Sequence, residues 1–251
     1  MKPFVTILAM RLAALLLIFF LTSCSCNQSE RGKLRIGVDS SFAPLNFEEL
    51  QPYVNGFVED LLLDVSRFSG MELEKVSANW DTLLEGMEQG KYDAVLSSMP
   101  AYNFNLAKYE FSENFLDLGP VLIVPANANY ADLKGLSGEL VGVINGDPAV
   151  LVLEKHPEVI IRSYDTIPDL LDAVATGDIE AAVLDRLRAI NYVRDLYAGR
   201  LKIASAPLTN VGLHTVAPLG ESAKFTRLFN QALAQMKKKK TLEELQKKWN
   251  L

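Results

Sequence analysis

The feature that most constrains this chain is a unit that occurs twice: a helix, a glycine, a short polar link and then a strand of D-A-V type. The first copy reads Glu88-Gln89-Gly90-Lys91-Tyr92-Asp93-Ala94-Val95, and the second Ala175-Thr176-Gly177-Asp178-Ile179-Glu180-Ala181-Ala182-Val183. Strands that alternate with helices pair mainly in parallel, because a parallel partner needs a crossover long enough to hold a helix. The expected class is therefore α/β, with helices flanking mainly parallel sheets. Two similar units in a chain without a strong internal repeat imply two lobes.

The remaining elements follow from local pattern. Leu34-Arg35-Ile36-Gly37-Val38 alternates and reads as a strand ending at Asp39. From Gly56 onward, Phe57, Leu61, Val65 and Phe68 share one helical face, and Gly70 stops the helix. Trp80-Asp81 opens a second helix, with Leu83, Leu84 and Met87 inward and Gly90 at its end. Residues 92–96, 140–144 and 179–184 read as strands, and the apolar run 118–124, interrupted by Gly119-Pro120, as a strand at a crossover. Asp147-Pro148 is a helix start, since the carboxylate caps free amides and Pro fits the first turn. Thr166 starts a helix that turns Leu170, Leu171 and Val174 inward and ends at Gly177. Residues 223–238 and 241–249 form two closing helices, the second opened by the capping-box pattern Thr241-Leu242-Glu243-Glu244. Ligands of open α/β sheets sit at the carboxyl ends of the strands. Those ends carry Asp39, Ser97, Ser98, Asn145 to Asp147 and Asp185.

The N-terminus reads as an address. Lys2 and Arg11 make a positive front, residues 12–21 are ten apolar residues in a row, and Leu21-Thr22-Ser23-Cys24 follows. That order is a bacterial secretory signal, and the Cys after a small residue gives it the form of a lipoprotein signal. Residues 1–23 are then removed, Cys24 becomes the lipidated (palmitate-bearing) first residue, and residues 24–32 form a flexible tether. An ordinary signal peptide with a chance Cys is the alternative. A membrane-spanning anchor is disfavoured, because ten residues fall short of the roughly 20 a bilayer needs.

Removal of the signal leaves 23 basic against 31 acidic side chains, a net charge of −8, which excludes a nucleic-acid partner. Cys26 is the second of the two Cys and lies in the tether, so the folded body needs neither a disulfide nor a thiolate metal site. His156 and His214 are far apart, and no G-x-S-x-G or phosphate loop occurs, so no metal, cofactor or catalytic triad is expected. Lys237 to Lys240 reads as the solvated end of a helix.

Seven segments in order resemble the family-3 solute-binding proteins of polar amino-acid ABC transporters. They are LRIGVDSSFAPLNF (34–47), GFVEDLLLDVSRFSG (56–70), WDTLLEGMEQGKYDAVLSSM (80–99), FSENFLDLGPVLIV (111–124), LKGLSGELVGVINGD (133–147), AVATGDIEAAVLD (173–185) and LEELQKKWN (242–250). The resemblance spans about residue 33 to residue 251. It implies a type II periplasmic binding protein fold with two hinge crossovers, lobe 1 from residues 33–119 and 212–251, and lobe 2 from residues 120–211. It further implies a monomeric, non-enzymatic protein outside the cytoplasm, in the periplasm or on the cell surface. Such a protein clamps a small amino acid or related amine and passes it to a membrane permease.

Carried over residue by residue, the resemblance assigns Asp39 to the ligand's side chain, Phe42 and Trp80 to the walls around its carbon chain, and Ser97 and Ser98 to hydroxyl and backbone contacts. Asp185 takes the α-ammonium. Two positions depart from the pattern. Asn105 stands where relatives place the Arg that holds the α-carboxylate, and Asn cannot supply that charge. Asp147 stands where relatives offer a Thr at a helix start. The expected cleft is thus acidic, with Asp39, Asp147 and Asp185 and no matching Arg, and favours a polar, amide or basic amino acid over glutamate. Arg186 and Arg188 read as residues that solvate a helix, although either is close enough in sequence to swing in. Taken alone, Asp39, Asp147 and Asp185 also read as helix caps, and Phe42 and Trp80 as core. The alternatives are a sensor or surface lipoprotein of the same fold that has altered or lost binding, and a dehydratase-like enzyme on that fold.

Overall fold

The computed structural model describes residues 32–42, 45, 47–220 and 223–251. The signal segment and the tether, with Cys24 and Cys26, lie outside the described residues. No described helix is long and apolar enough to cross a membrane.

Two sheets organise residues 34–251. The first contains β1 (Leu34–Val38), β2 (Leu73–Ser77), β3 (Ala94–Ser97), β4 (Tyr109–Phe111), β5 (Leu116–Asp117) and β11 (Gly212–Pro218). Its order is β2-β1-β3-β11-β4, with β5 also paired to β11. The second contains β6 (Pro120–Pro125), β7 (Leu140–Ile144), β8 (Ile160–Tyr164), β9 (Ala181–Asp185) and β10 (Leu201–Ile203), in the order β10-β6-β9-β7-β8. In each sheet three neighbouring strands are parallel: β2, β1 and β3 in the first, and β8, β7 and β9 in the second. The strands that enter from the crossovers, β6 and β11, pair antiparallel. Each sheet is therefore mixed where alternation alone implies a mainly parallel one. A strand arriving from the opposite lobe enters from the carboxyl end and has to run backwards.

Helices cover the sheets as their apolar stripes require. Helix α1 (Gln51–Ser69) begins five residues before the expected start, with Pro52 in its first turn, and ends at Gly70 in the left-handed conformation. Its buried Phe57, Leu61 and Val65 join Phe115 and Phe229 in the first core. The Phe57–Phe115 and Phe115–Phe229 ring centroids are both 6.3 Å apart, and each buried ring is worth about 1.5–3 kcal/mol. Phe229 comes from α7 (Ala223–Lys238), which packs beside α1. Helix α2 (Leu83–Glu88), preceded by a 3-10 turn at Trp80–Thr82, buries Leu83 and Met87 on the opposite face with Val95 and Val216. Helix α3 is one turn, Asn103–Leu106, and α4 another, Val150–Leu153, so Asp147-Pro148 leads into a turn rather than a long helix. Helix α5 (Ile167–Thr176) is capped by Thr166, whose hydroxyl accepts from the Asp169 amide, and stopped by Gly177 at φ 83°. Helix α6 (Arg186–Asp195) follows β9 without a linker.

The expected capping box fails at α8 (Thr241–Lys248). Lys240, at φ 63°, occupies the cap position, which places Thr241 inside the helix. Only two residues separate α7 from α8, and the left-handed Lys240 makes the turn that reverses the chain. Asp60 then ties α8 to α1, accepting from Lys248 Nζ at 2.6 Å and from Trp249 Nε1 at 2.8 Å.

Two chain passages connect the sheets, and they are hydrogen-bonded to each other. Leu118 and Gly119 both donate to the Val211 carbonyl, at 2.9 and 3.0 Å, and Leu208 donates to the Pro120 carbonyl at 2.8 Å. Gly119 is required by close approach: a Cβ there would stand 2.5 Å from the Thr209 carbonyl oxygen. Gly142, in the middle of β7, faces the same constraint in the second core. A Cβ would overlap Leu170 Cδ1 and come within 2.6 Å of Ile179 Cδ1. Gly142→Ala is accordingly expected to lower stability by about 1–3 kcal/mol through overpacking. Urea denaturation checks this as a lower midpoint with an unchanged slope.

Candidate functional site

The carboxyl ends of the parallel strands carry the polar residues singled out by sequence. At the end of β1, Asp39 accepts from the Ser41 amide at 3.2 Å and from the Ser41 hydroxyl. The loop is fastened to α1, because Asn55 Nδ2 donates to the Ser40 carbonyl at 3.1 Å and Gln51 Nε2 donates to the same oxygen. Phe42 lies elsewhere than expected. It is 4% exposed and packs edge-on against Phe47 in the first core, with ring centroids 5.7 Å apart. The positive φ of 54° at Phe42 turns its side chain inward, so it is a core residue and not an open wall. Trp80, at 37% exposure, does present a ring surface at the start of its 3-10 turn.

Ser97 is buried, and its hydroxyl accepts from the Met99 amide at 3.0 Å; Ser98 is half-buried. Ser97 is thereby committed to shaping the turn after β3. Asn105 is likewise engaged: its amide Nδ2 donates to the Pro100 carbonyl at 2.8 Å, from the single turn of α3 back to the loop before it. The side chain closes its own loop.

The second lobe differs from expectation in its charges. Asp185 ends β9, opposite Pro120 in the register with β6, directly beside the crossover. Its Oδ1 caps α6 by accepting from the Arg188 amide at 3.1 Å. Its Oδ2 faces Arg188 Nε in an ion pair. Arg188 Nη2 reaches Asp147 Oδ2 at 3.4 Å, while Asp147 Oδ1 accepts from the Ala149 amide at 2.8 Å. The reading of Asp147 and Asp185 as carboxylates without a matching Arg is therefore corrected, since one guanidinium bridges both. The signal was present in sequence as an i,i+3 spacing between Asp185 and Arg188 at a helix start. Asp147 itself does cap a turn, as its position before Pro148 implies.

The carboxyl of Asp185 is pushed above the usual carboxylate range, chiefly by burial and also by Asp147, with Arg188 pulling the other way through its charge and hydrogen bonds. Arg186, next in sequence, is half-buried; burial lowers its guanidinium below its ordinary value, and Asp117 on the crossover opposes that shift. Between them, Leu187 is 2% exposed and belongs to the apolar cluster of the first lobe, although its helix springs from the second sheet. The segment from Asp185 to Arg188 thus lies at the junction of the lobes.

One further polar residue lies at this end. His214, on β11 opposite Ser97, is buried; its Nδ1 lies 3.1 Å from Asn114 Oδ1 and its ring is edge-on to Phe111. Its Nδ1 partner is an amide, so Asp185 and His214 do not assemble the relay of a hydrolytic triad. Among the described residues, no group of three or more His, Cys, Asp and Glu is placed to hold a metal ion.

The sequence profile of the bacterial extracellular solute-binding proteins, family 3, matches residues 34–251, and this chain belongs to that family. Among curated relatives it is 26% identical over 227 residues to the L-cystine-binding protein TcyJ of Escherichia coli K12, covering 88% of this chain and 83% of that protein. It is also 26% identical over 248 residues to the arginine-binding extracellular protein ArtP of Bacillus subtilis, covering 95% of both. Among solved structures, the L-cystine solute receptor of Neisseria gonorrhoeae in its unliganded open conformation superposes with a TM-score of 0.65 at 18% identity, over 86% of this chain and 92% of that one. The fold is the two-lobed type II periplasmic binding protein fold.

The burial of His214 carries a consequence for stability. Burial lowers its pKa from 6.5 to about 4, with a Met99 backbone group pulling the other way. The unfolded chain takes up a proton near pH 6.5, while the folded chain resists until about 4. Stability is therefore complete above that window and falls as pH drops through it, by about 3 kcal/mol for this group. His214→Gln is expected to flatten the decline between pH 6.5 and 4. Urea melts of both proteins at a series of pH values measure the difference.

Proposed function

We propose that this protein captures a small amino acid, with a polar, amide or basic side chain, between its two lobes outside the cytoplasm and delivers it to an ABC permease. Lobe 1 is assigned residues 33–119 and 212–251, and lobe 2 residues 120–211. Membership of a family of extracellular solute-binding proteins supports the general role. Relatives named for binding cystine and arginine support an amino acid as the ligand class. The observation that carries the reading is the half-buried Asp185 carboxylate, set at the carboxyl end of a parallel strand, beside the crossover and beside a helix that reaches into the other lobe. That is where a ligand ammonium meets a preplaced counter-charge. Trp80 and Asp39 complete the site from lobe 1, with Ser98 at its edge.

A thermal-shift panel of the twenty amino acids and L-cystine, on the full chain in mild detergent, tests this. A ligand at 100 times its Kd stabilises the native state by about 2.7 kcal/mol. The expected result is a rise in melting temperature with one or a few polar, amide or basic amino acids and none with glutamate. No shift with any of them favours the sensor or surface-lipoprotein reading. A shift confined to glutamate contradicts the acidic site.

The same proposal places the protein on a membrane as a monomer, through a lipid on Cys24. Cys24→Ser is expected to move it from the membrane fraction to the soluble fraction and to abolish incorporation of labelled palmitate. Label retained in that variant rules out Cys24 as the anchor.

A further inference from the structure

An amino acid brings a negative charge as well as a positive one, on the same carbon. A site built around Asp147 and Asp185 attracts the ammonium and repels the carboxylate, at separations where unit charges interact strongly. Asn105 offers no remedy, because it carries no charge and its amide already donates to the Pro100 carbonyl. The cation held by both carboxylates is Arg188. Asp185 holds it at Nε and at its backbone amide, and Asp147 holds it at Nη2. Both carboxylates are themselves fixed, Asp185 as the cap of α6 and Asp147 by the Ala149 amide. The guanidinium is thus oriented from behind. Among the described residues its Nη1 makes no hydrogen bond, and the side chain is 37% exposed at the lobe junction marked by Leu187.

We infer that Arg188 receives the carboxylate of the ligand, held in place for that purpose by Asp147 and Asp185, and so selects amino acids over amines that lack a carboxylate. This rests on the proposed function and names the recognition element within it. Two carboxylates and one guanidinium leave a local charge of −1, enough to accept an ammonium at Asp185 while the outer edge of Arg188 faces the carboxylate. A planar fork backed by two acids is the arrangement suited to bidentate carboxylate capture.

The test uses ligand pairs that differ by the carboxylate alone: L-arginine and agmatine, L-histidine and histamine, L-cystine and cystamine. Binding is measured by titration calorimetry on the full chain in mild detergent, with melting temperature recorded for each variant. The wild type is expected to prefer the amino acid of the pair it binds. Arg188→Gln is expected to weaken the amino acid about 10- to 100-fold and to leave the amine unchanged or tighter. Arg188→Lys keeps the charge without the fork and is expected to show a smaller loss of the same selectivity; it decides the matter if the Gln variant does not fold. Arg186→Gln, which removes the neighbouring half-buried guanidinium, is expected to show no selective loss. The inference is overturned if amino acid and amine weaken alike in the Arg188 variants, if neither weakens, or if the selective loss appears in Arg186→Gln instead. If none of these three amino acids binds, the pair is made from the amino acid that binds in the thermal-shift panel and its decarboxylated amine; a wild type that binds no amino acid of that panel overturns the proposed function and this inference with it. A wild type that binds without a selective loss overturns this inference alone.

Discussion

The structure depends on the pairing of its two crossovers. Leu118 and Gly119 share the Val211 carbonyl, β5 runs antiparallel to β11, and Leu208 returns a hydrogen bond to Pro120. Two passages of chain, about ninety residues apart in sequence, therefore act as one ribbon. Each lobe can keep its own core, because the ribbon satisfies the backbone groups that would otherwise be stranded where the chain leaves a sheet. Thr209 presses against Gly119 so closely that any side chain there would force the ribbon apart. The same geometry places the end of β9 beside the start of β6, and that places Asp185 at the junction.

Electrostatics at the junction follow from that placement. A carboxylate half out of water needs compensation, and Asp185 has three sources: the Arg188 side chain, the Arg188 amide and the positive end of α6. Asp147 works against it, and Arg188 offsets Asp147 as well. Removing one member of such a set leaves an uncompensated charge, so the three residues behave as a unit. A body with an excess of acidic residues thus carries at its junction a fixed cation between two acids.

Much of the fold was legible because its signals are local. Gly70 and Gly177 stop helices as glycines in the left-handed region do, Thr166 caps as its type suggests, β1 falls at the alternating run that marks it, and β7 falls at the apolar run 140–144. What escaped lacks such signals. β8 is an exposed edge strand whose Ile160 and Ile161 both face solvent, so no alternation betrays it. β5 is two residues long and exists only through β11. Lys240 took the cap from Thr241 because a two-residue reversal needed a left-handed turn, which no propensity for Lys announces. At the site, the positions at strand ends were readable, but orientations were not. One positive φ sends Phe42 into the core, and one helical turn carries Arg188 back onto Asp185. Asn105 was readable as a lost charge, yet its actual use, closing its own loop, appears only in three dimensions.

The two lobes contribute unlike chemistry to their facing ends. In the first, Asp39 is held by neutral donors from Ser41, the Ser97 hydroxyl is turned onto the backbone, and Trp80 offers an apolar face. In the second, charged groups dominate and hold one another. The ion triad fixes the direction of each of its members through charge-assisted hydrogen bonds. Leu187 joins the two: it fastens the start of α6, and the cation behind it, into the core of the first lobe.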